Sequence, residues 1–278
     1  MQEHLVNKPF AESIEQNQKI VFPVEKFNTE SRVGGKLRYY YGWFVAAVLL
    51  LFIAAPALAF LWLINRRKWL YPLAGWGAKV WLDACGARVT VRGLENLKPS
   101  ENYVFISNHR SYLDTATLFA YTGHRIGLVA KKELLKVPVM GQGMNFVNII
   151  AIDRSDAERS RRSMLKAKEV MENGYSFGVF AEGTRAMPGE LLPFKKGAFH
   201  LALQTEAPVV PVAIKNTDWM MGKKTGAAFA GTIEMVLLPP IETKNLSAEK
   251  DLMNLLKRTR ELIAEELTTE NEKRKMEN

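Results

Sequence analysis

The sequence predicts an α/β fold: one domain with a largely parallel sheet flanked by helices, preceded by an N-terminal hydrophobic membrane helix or helical hairpin. Three observations predict it. From residue 88 onward, short apolar strand patterns alternate with helix patterns, the arrangement that builds parallel sheets. Residues 39–64, YYYGWFVAAVLLLFIAAPALAFLWLI, contain no charged residue. The chain has 278 residues, room for one large domain with appendages.

Residues 1–38 mix charges of both signs without a sustained period, so they are expected to form a polar, weakly ordered tail. The membrane-anchoring segment is expected over 39–86. About 20 apolar residues span a bilayer core, and aromatics crowd both ends of the uncharged run, with Trp43 at one end and Trp62 and Trp69 at the other. Aromatic rings at those places are expected to contact the membrane interface. Pro56 lies inside the run and interrupts helical hydrogen bonding. The segment is therefore a single bent span, or the first half of a hairpin whose partner is the Trp-rich stretch 68–86. Arg32, Lys36 and Arg38 precede the run and Arg66, Arg67 and Lys68 directly follow it; the second cluster leans the C-terminal side to the cytoplasm, and an inner membrane is expected.

The remaining domain is expected over 87–270, before a charged tail at 271–278. Strands are predicted at RVTVRG from Arg88, at YVFIS (103–107), RIGLVA (125–130), NIIAI (148–152), FGVF (177–180), PVVPVAI (208–214) and TIEMVLL (232–238). Helices are predicted from Leu113 to Tyr121, Asp156 to Asn173, 197–205 and Ala248 to Leu267. The net charge of +9 favours anionic partners. The basic helix after Asp156 has no interleaved aromatics, which argues against nucleic acid. The one cysteine, Cys85, makes no internal disulfide and no zinc site, pointing to a reducing compartment.

Chemistry concentrates where two of these strands end. YVFISNHRSYLD runs from an apolar strand into His109, with Asp114 five positions on. A histidine at a strand end can act as a base, and a carboxylate can hold its second ring nitrogen. Polar residues capping a helix would give the same pattern, and the pair alone does not decide between the two. The second stretch, FGVFAEGTRAMPGELLPFKKGAF, ends a strand in Glu182-Gly183-Thr184-Arg185 and carries Lys195-Lys196 before a helix. Gly183 permits close backbone approach, and Arg185 offers a forked grip for phosphate.

NHRSYLD followed by AEGTR…FKKGAF resembles the glycerolipid acyltransferases, most closely the bacterial 1-acyl-sn-glycerol-3-phosphate acyltransferases. VAKKELLKVPVMGQGM (129–144), IIAIDR (149–154) and VPVAIKNT (210–217) are similar to the family's other blocks, so the resemblance covers about residues 88–245. The chain departs from it at Ala181, Ala186 and Asn148, where the family often has Pro, Ser and Gly.

The resemblance implies acyl transfer from acyl-CoA or acyl-carrier protein to the free hydroxyl of the lysophospholipid 1-acyl-sn-glycerol 3-phosphate at the bilayer, yielding phosphatidic acid; the same chemistry on glycerol 3-phosphate, a lyso-aminolipid or another lysophospholipid is the alternative. It implies His109 as the base and Asp114 as its orienting partner. It assigns Lys131, Arg154, Glu182, Gly183, Thr184 and Arg185 to the glycerol phosphate, and an oxyanion site to backbone N–H groups near Gly183. It implies no metal and no cofactor beyond the thioester cosubstrate. DWMMGKK (218–224) pairs Trp219 and Met220 with lysines, and this loop is expected to dip into the membrane. The rival of a different class is a catalytically silent membrane scaffold, which predicts loss of His109, Asp114 or Arg185; all three are present.

Overall fold

The structure, a computed structural model, describes residues 8–22, 31–66, 69–131, 141, 143–144, 147–152 and 157–277. The chain opens with helix α1 (Lys8–Glu15) and strand β1 (Ile20–Val21). Ser31 then caps helix α2 (Arg32–Leu63), its side chain accepting from the Gly34 N–H at 3.2 Å. At 1.5 Å per residue α2 is about 48 Å long, more than a hydrocarbon core of ~30 Å requires. Only 11% of its most apolar stretch is buried.

Pro56 does not end α2. A proline has no N–H for the carbonyl four residues back, and its ring crowds that carbonyl. The helix responds by widening into a π turn over Leu49–Ala54, where the Ala55 N–H donates to the Leu50 carbonyl, and then continues. Helix α3 (Leu70–Ala84) folds back on it. Gly42 makes this approach possible, since a Cβ there would lie 2.7 Å from Cys85 Sγ. Trp43 meets Trp81 at 5.9 Å, and Leu58 and Leu61 pack with Leu70 and Tyr71. The long helix and its returning partner thus coexist.

The remaining elements are β2 (Ala87–Arg92), β3 (Val104–Ser107), α4 (Tyr112–Tyr121), β4 (Ile126–Lys131), β5 (Ile149–Ile152), α5 (Ala157–Glu172), β6 (Ser176–Phe180), β7 (Glu190–Leu191), α6 (Gly197–Thr205), β8 (Val209–Lys215), α7 (Thr217–Met221), β9 (Gly231–Leu237) and α8 (Leu252–Glu277). Seven strands form one sheet in the order β2-β9-β8-β3-β6-β4-β5. From β8 to β5 neighbours run parallel; β9 is antiparallel to β8 and parallel to β2. Strand β3 sits between β8 and β6, buried on both faces, which explains its uninterrupted apolar run. Its alternate residues serve different cores: Val104 and Ile106 meet α6 and α8, whereas Phe105 meets α3 and α4.

Two expectations change. Residues within the predicted tail are structured: Ile14, Ile20 and Phe22 are buried in the core beside Leu191 and Phe194, and β1 pairs antiparallel with β7. The helix expected to end at Leu267 continues through Glu277, into the predicted charged tail.

Candidate active site

Parallel pairing brings the two motifs together. Ser107, the last residue of β3, is in register with Phe180, the last residue of β6, so the loops that follow leave the sheet side by side. Asn108 fastens the first loop to β8: its side chain donates to the Ile214 carbonyl and accepts from the Ile214 N–H, both at 2.8 Å.

His109 Nδ1 lies 3.0 Å from Asp114 Oδ2. Asp114 is fully buried, and the same oxygen accepts from the Arg110 N–H at 2.6 Å and the Ser111 N–H at 2.7 Å. Ser111 caps α4, with Asp114 as the reciprocal member of the capping box. The two readings that the sequence left open therefore hold together: one carboxylate closes the helix end and holds the imidazole. That bond keeps Nδ1 as the protonated nitrogen when the ring is neutral. Nε2 has no hydrogen-bond partner among the described residues, and the side chain is 16% exposed. Phe180 stacks on the ring, with centroids 4.0 Å apart and planes at 18°.

Glu182 faces inward, away from the phosphate role expected of it. It is buried, and its two oxygens accept from the His109 N–H at 2.6 Å and the Leu192 N–H at 2.7 Å. Burial pushes its carboxyl up to about 8, against the two N–H donors and Arg110, which pull it down. The Gly183 N–H donates to the Phe180 carbonyl at 2.9 Å, so it is not free for an oxyanion. Gly183 itself has a φ of +72°, and the Lys195 side chain lies against it, 3.0 Å from where a Cβ would be.

Arg185 lies over the Tyr112 ring at 3.6 Å, and its guanidinium has no ion-pair or hydrogen-bond partner among the described residues. Lys223 Nζ donates to the Arg185 carbonyl at 2.6 Å. Thr184 is exposed beside it. Lys131 ends β4, its side chain outside the described residues, as is the whole of Arg154. Among the described residues no three His, Cys, Asp or Glu side chains are grouped to hold a metal.

The loop expected to dip into the membrane turns its methionines inward. Helix α7 turns Met220 and Met221 into the sheet core, leaving Met220 at 0% exposure. Trp219 is half-buried over Gly231, with its Nε1 donating to Asn216 Oδ1 at 3.3 Å. Trp62 and Trp69, by contrast, are exposed, and Trp43 is at 37%. Sequence reasoning missed Phe180, Tyr112, Arg110 and Asp218. Phe180 reads as a strand-core residue, while Tyr112 and Arg110 lie inside the His109 motif and carried the only available signal.

Residues 88–215 match the family model described as Acyltransferase. The chain is 39% identical over 168 residues to the 1-acyl-sn-glycerol-3-phosphate acyltransferase of Saccharomyces cerevisiae, covering 59% of this chain and 55% of that protein. It is 35% identical over 165 residues to the human 1-acyl-sn-glycerol-3-phosphate acyltransferase alpha, covering 59% of this chain and 58% of that protein. It therefore spans just over half the length of these curated relatives. The crystal structure of the 1-acyl-sn-glycerophosphate (LPA) acyltransferase PlsC from Thermotoga maritima superimposes with a TM-score of 0.74 at 26% identity, over 84% of this chain and 97% of that one. The part of the chain that matches the Acyltransferase family model is thus residues 88–215, which hold the His109–Asp114 pair and the Glu182–Arg185 loop.

Proposed function

We propose that this chain transfers a fatty acyl group from an acyl thioester, on CoA or acyl-carrier protein, to the free hydroxyl of 1-acyl-sn-glycerol 3-phosphate, giving phosphatidic acid. The observation that carries the reading is the His109–Asp114 pair, 3.0 Å apart, with Nε2 unpartnered among the described residues. Nε2 takes the proton of the acceptor hydroxyl as its oxygen bonds to the thioester carbonyl carbon. Asp114 stabilises the imidazolium that forms. The tetrahedral intermediate collapses by breaking the C–S bond, and the leaving sulfur takes the proton back from Nε2. No nucleophilic side chain, metal or redox group enters this balance.

Arg185, without a carboxylate partner among the described residues and held over the Tyr112 ring, is the grip for the acceptor phosphate. Lys131, Thr184 and Arg154 belong to the same proposed set. Helix α2 is long and apolar enough to cross a membrane, and in this reading it holds the site at the bilayer where a one-chain lipid resides, with the domain on the cytoplasmic side. The names of the similar proteins support the acceptor.

The test is product analysis. Purified in detergent and given labelled acyl-CoA, the protein is expected to form labelled phosphatidic acid from 1-acyl-sn-glycerol 3-phosphate. Product from glycerol 3-phosphate or lysophosphatidylcholine instead would move the acceptor. No product with any acceptor and either donor would overturn the reading in favour of a binding scaffold.

A further inference from the structure

Strand β7 has only two residues, yet the site depends on it and on its two flanking residues at three points. The Glu190 carbonyl accepts from Arg110 Nε at 2.8 Å. The Leu192 N–H holds Glu182, which in turn holds the His109 N–H. The Gly189 N–H donates to Asp218 Oδ2 at 2.9 Å, and that oxygen also takes Arg110 Nη1 at 3.1 Å.

What holds β7 is the N-terminal segment. Ile20 pairs with Leu191 and Val21 with Glu190, and the Phe22 N–H donates to the Gly189 carbonyl at 2.7 Å. That bond makes Phe22–Gly189 a hydrogen-bonded pair, so Val21–Glu190 is a non-bonded one. The Glu190 carbonyl is therefore turned from β1 and left for Arg110. The buried Phe22 ring meets the Arg110 guanidinium at 5.3 Å. The segment is itself fastened. Asn17 exchanges hydrogen bonds with the Phe194 backbone at 2.9 and 2.8 Å. Arg260 of α8 donates to the carbonyls of Ser13 and Gln18. Lys19 pairs with Glu190 at 2.9 Å.

We propose that residues 17–22 are a positioning strap for the base: by fixing β7 they fix, through Arg110 and Glu182, the backbone that carries His109. Arg110, its side chain buried, is a positioning residue in this network. The kinetic consequence rests on the acyl-transfer reading; the structural one does not.

The test uses the full chain in detergent with Phe22→Ala, reading kinetics and amide hydrogen exchange together. We expect kcat to fall about fivefold or more, since small misplacements at a reacting centre are costly, with KM for acyl-CoA and lysophosphatidate held within about twofold. Exchange is expected to quicken at 107–114 as well as at 187–194, and not at 209–215. Should Phe22→Ala fail to fold, Arg110→Lys decides: it keeps the charge but cannot reach both Glu190 and Asp218, and the same pattern is expected. Quickened exchange at 187–194 with 107–114 and kcat unmoved would overturn the strap. If the wild type transfers no acyl group to any acceptor, the functional reading fails by itself and the exchange pattern alone decides this proposal.

Discussion

The guanidinium carbon of Arg185 sits 3.6 Å above the Tyr112 ring centroid, and that ring meets Trp43 of α2 edge-on at 5.5 Å. The proposed phosphate grip therefore rests on a ring that also touches the long apolar helix α2. Removing the ring removes a cation–π contact of about 1 kcal/mol. Tyr112→Leu is expected to raise KM for the lysophosphatidate acceptor about fivefold, with kcat little changed, while Tyr112→Phe behaves as wild type. Equal kinetics for the leucine and phenylalanine variants would dismiss the stacking role.

Asp114 has two duties, and substitutions separate them. Asp114→Asn keeps an acceptor for the Arg110 and Ser111 N–H groups but no longer favours the Nδ1–H tautomer or the imidazolium. Activity is expected to fall at least about 100-fold with little loss of thermal stability. Asp114→Ala also removes the cap and is expected to cost a further ~1 kcal/mol in unfolding experiments. If the asparagine variant were as active as wild type, the carboxylate would be a cap alone.

Glu182 supplies a pH signature in stability. Its carboxyl titrates near 4.5 when unfolded and is raised to about 8 by burial in the folded chain. Between those values the folded state binds the proton more tightly. The contribution of Glu182 to stability is thus fully present below 4.5 and declines as pH rises towards 8. Melting temperature in detergent is expected to fall across this range, and to fall less in Glu182→Gln. Parallel curves for the two proteins would contradict the burial account.

The membrane role of α2 is tested at Phe52, which is 71% exposed. Phe52→Lys is expected to weaken insertion by about 3 kcal/mol, the cost of a lysine at mid-helix. The variant should leave liposomes on flotation while melting in detergent like the wild type, since Phe52 packs against no core cluster. Unchanged flotation would remove α2 from the bilayer.

The strands from residue 87 onward were legible because burial leaves a periodic trace: β3 reads as an apolar run, and its polar exit marks where His109 stands. Residues 8–22 were not, because Ile14 and the three-residue run Ile20-Val21-Phe22 are too short to show a period, and their order comes from Leu191, Phe194 and Arg260, far along the chain. Met220 and Met221 were misplaced for another reason. A methionine facing a core and one facing lipid have the same composition, and only the turn of α7 separates them. Arg110 stood between His109 and Asp114 in plain view, but its partners Glu190 and Asp218 come together only in the folded chain.

The most direct test of the account is thiol release from acyl-CoA with lysophosphatidate, comparing wild type with His109→Ala in detergent at matched folding. The account predicts release by the wild type and its loss by roughly 10³-fold or more in the variant, without loss of thermal stability. Undiminished release by His109→Ala would show that the imidazole held by Asp114 is not the base.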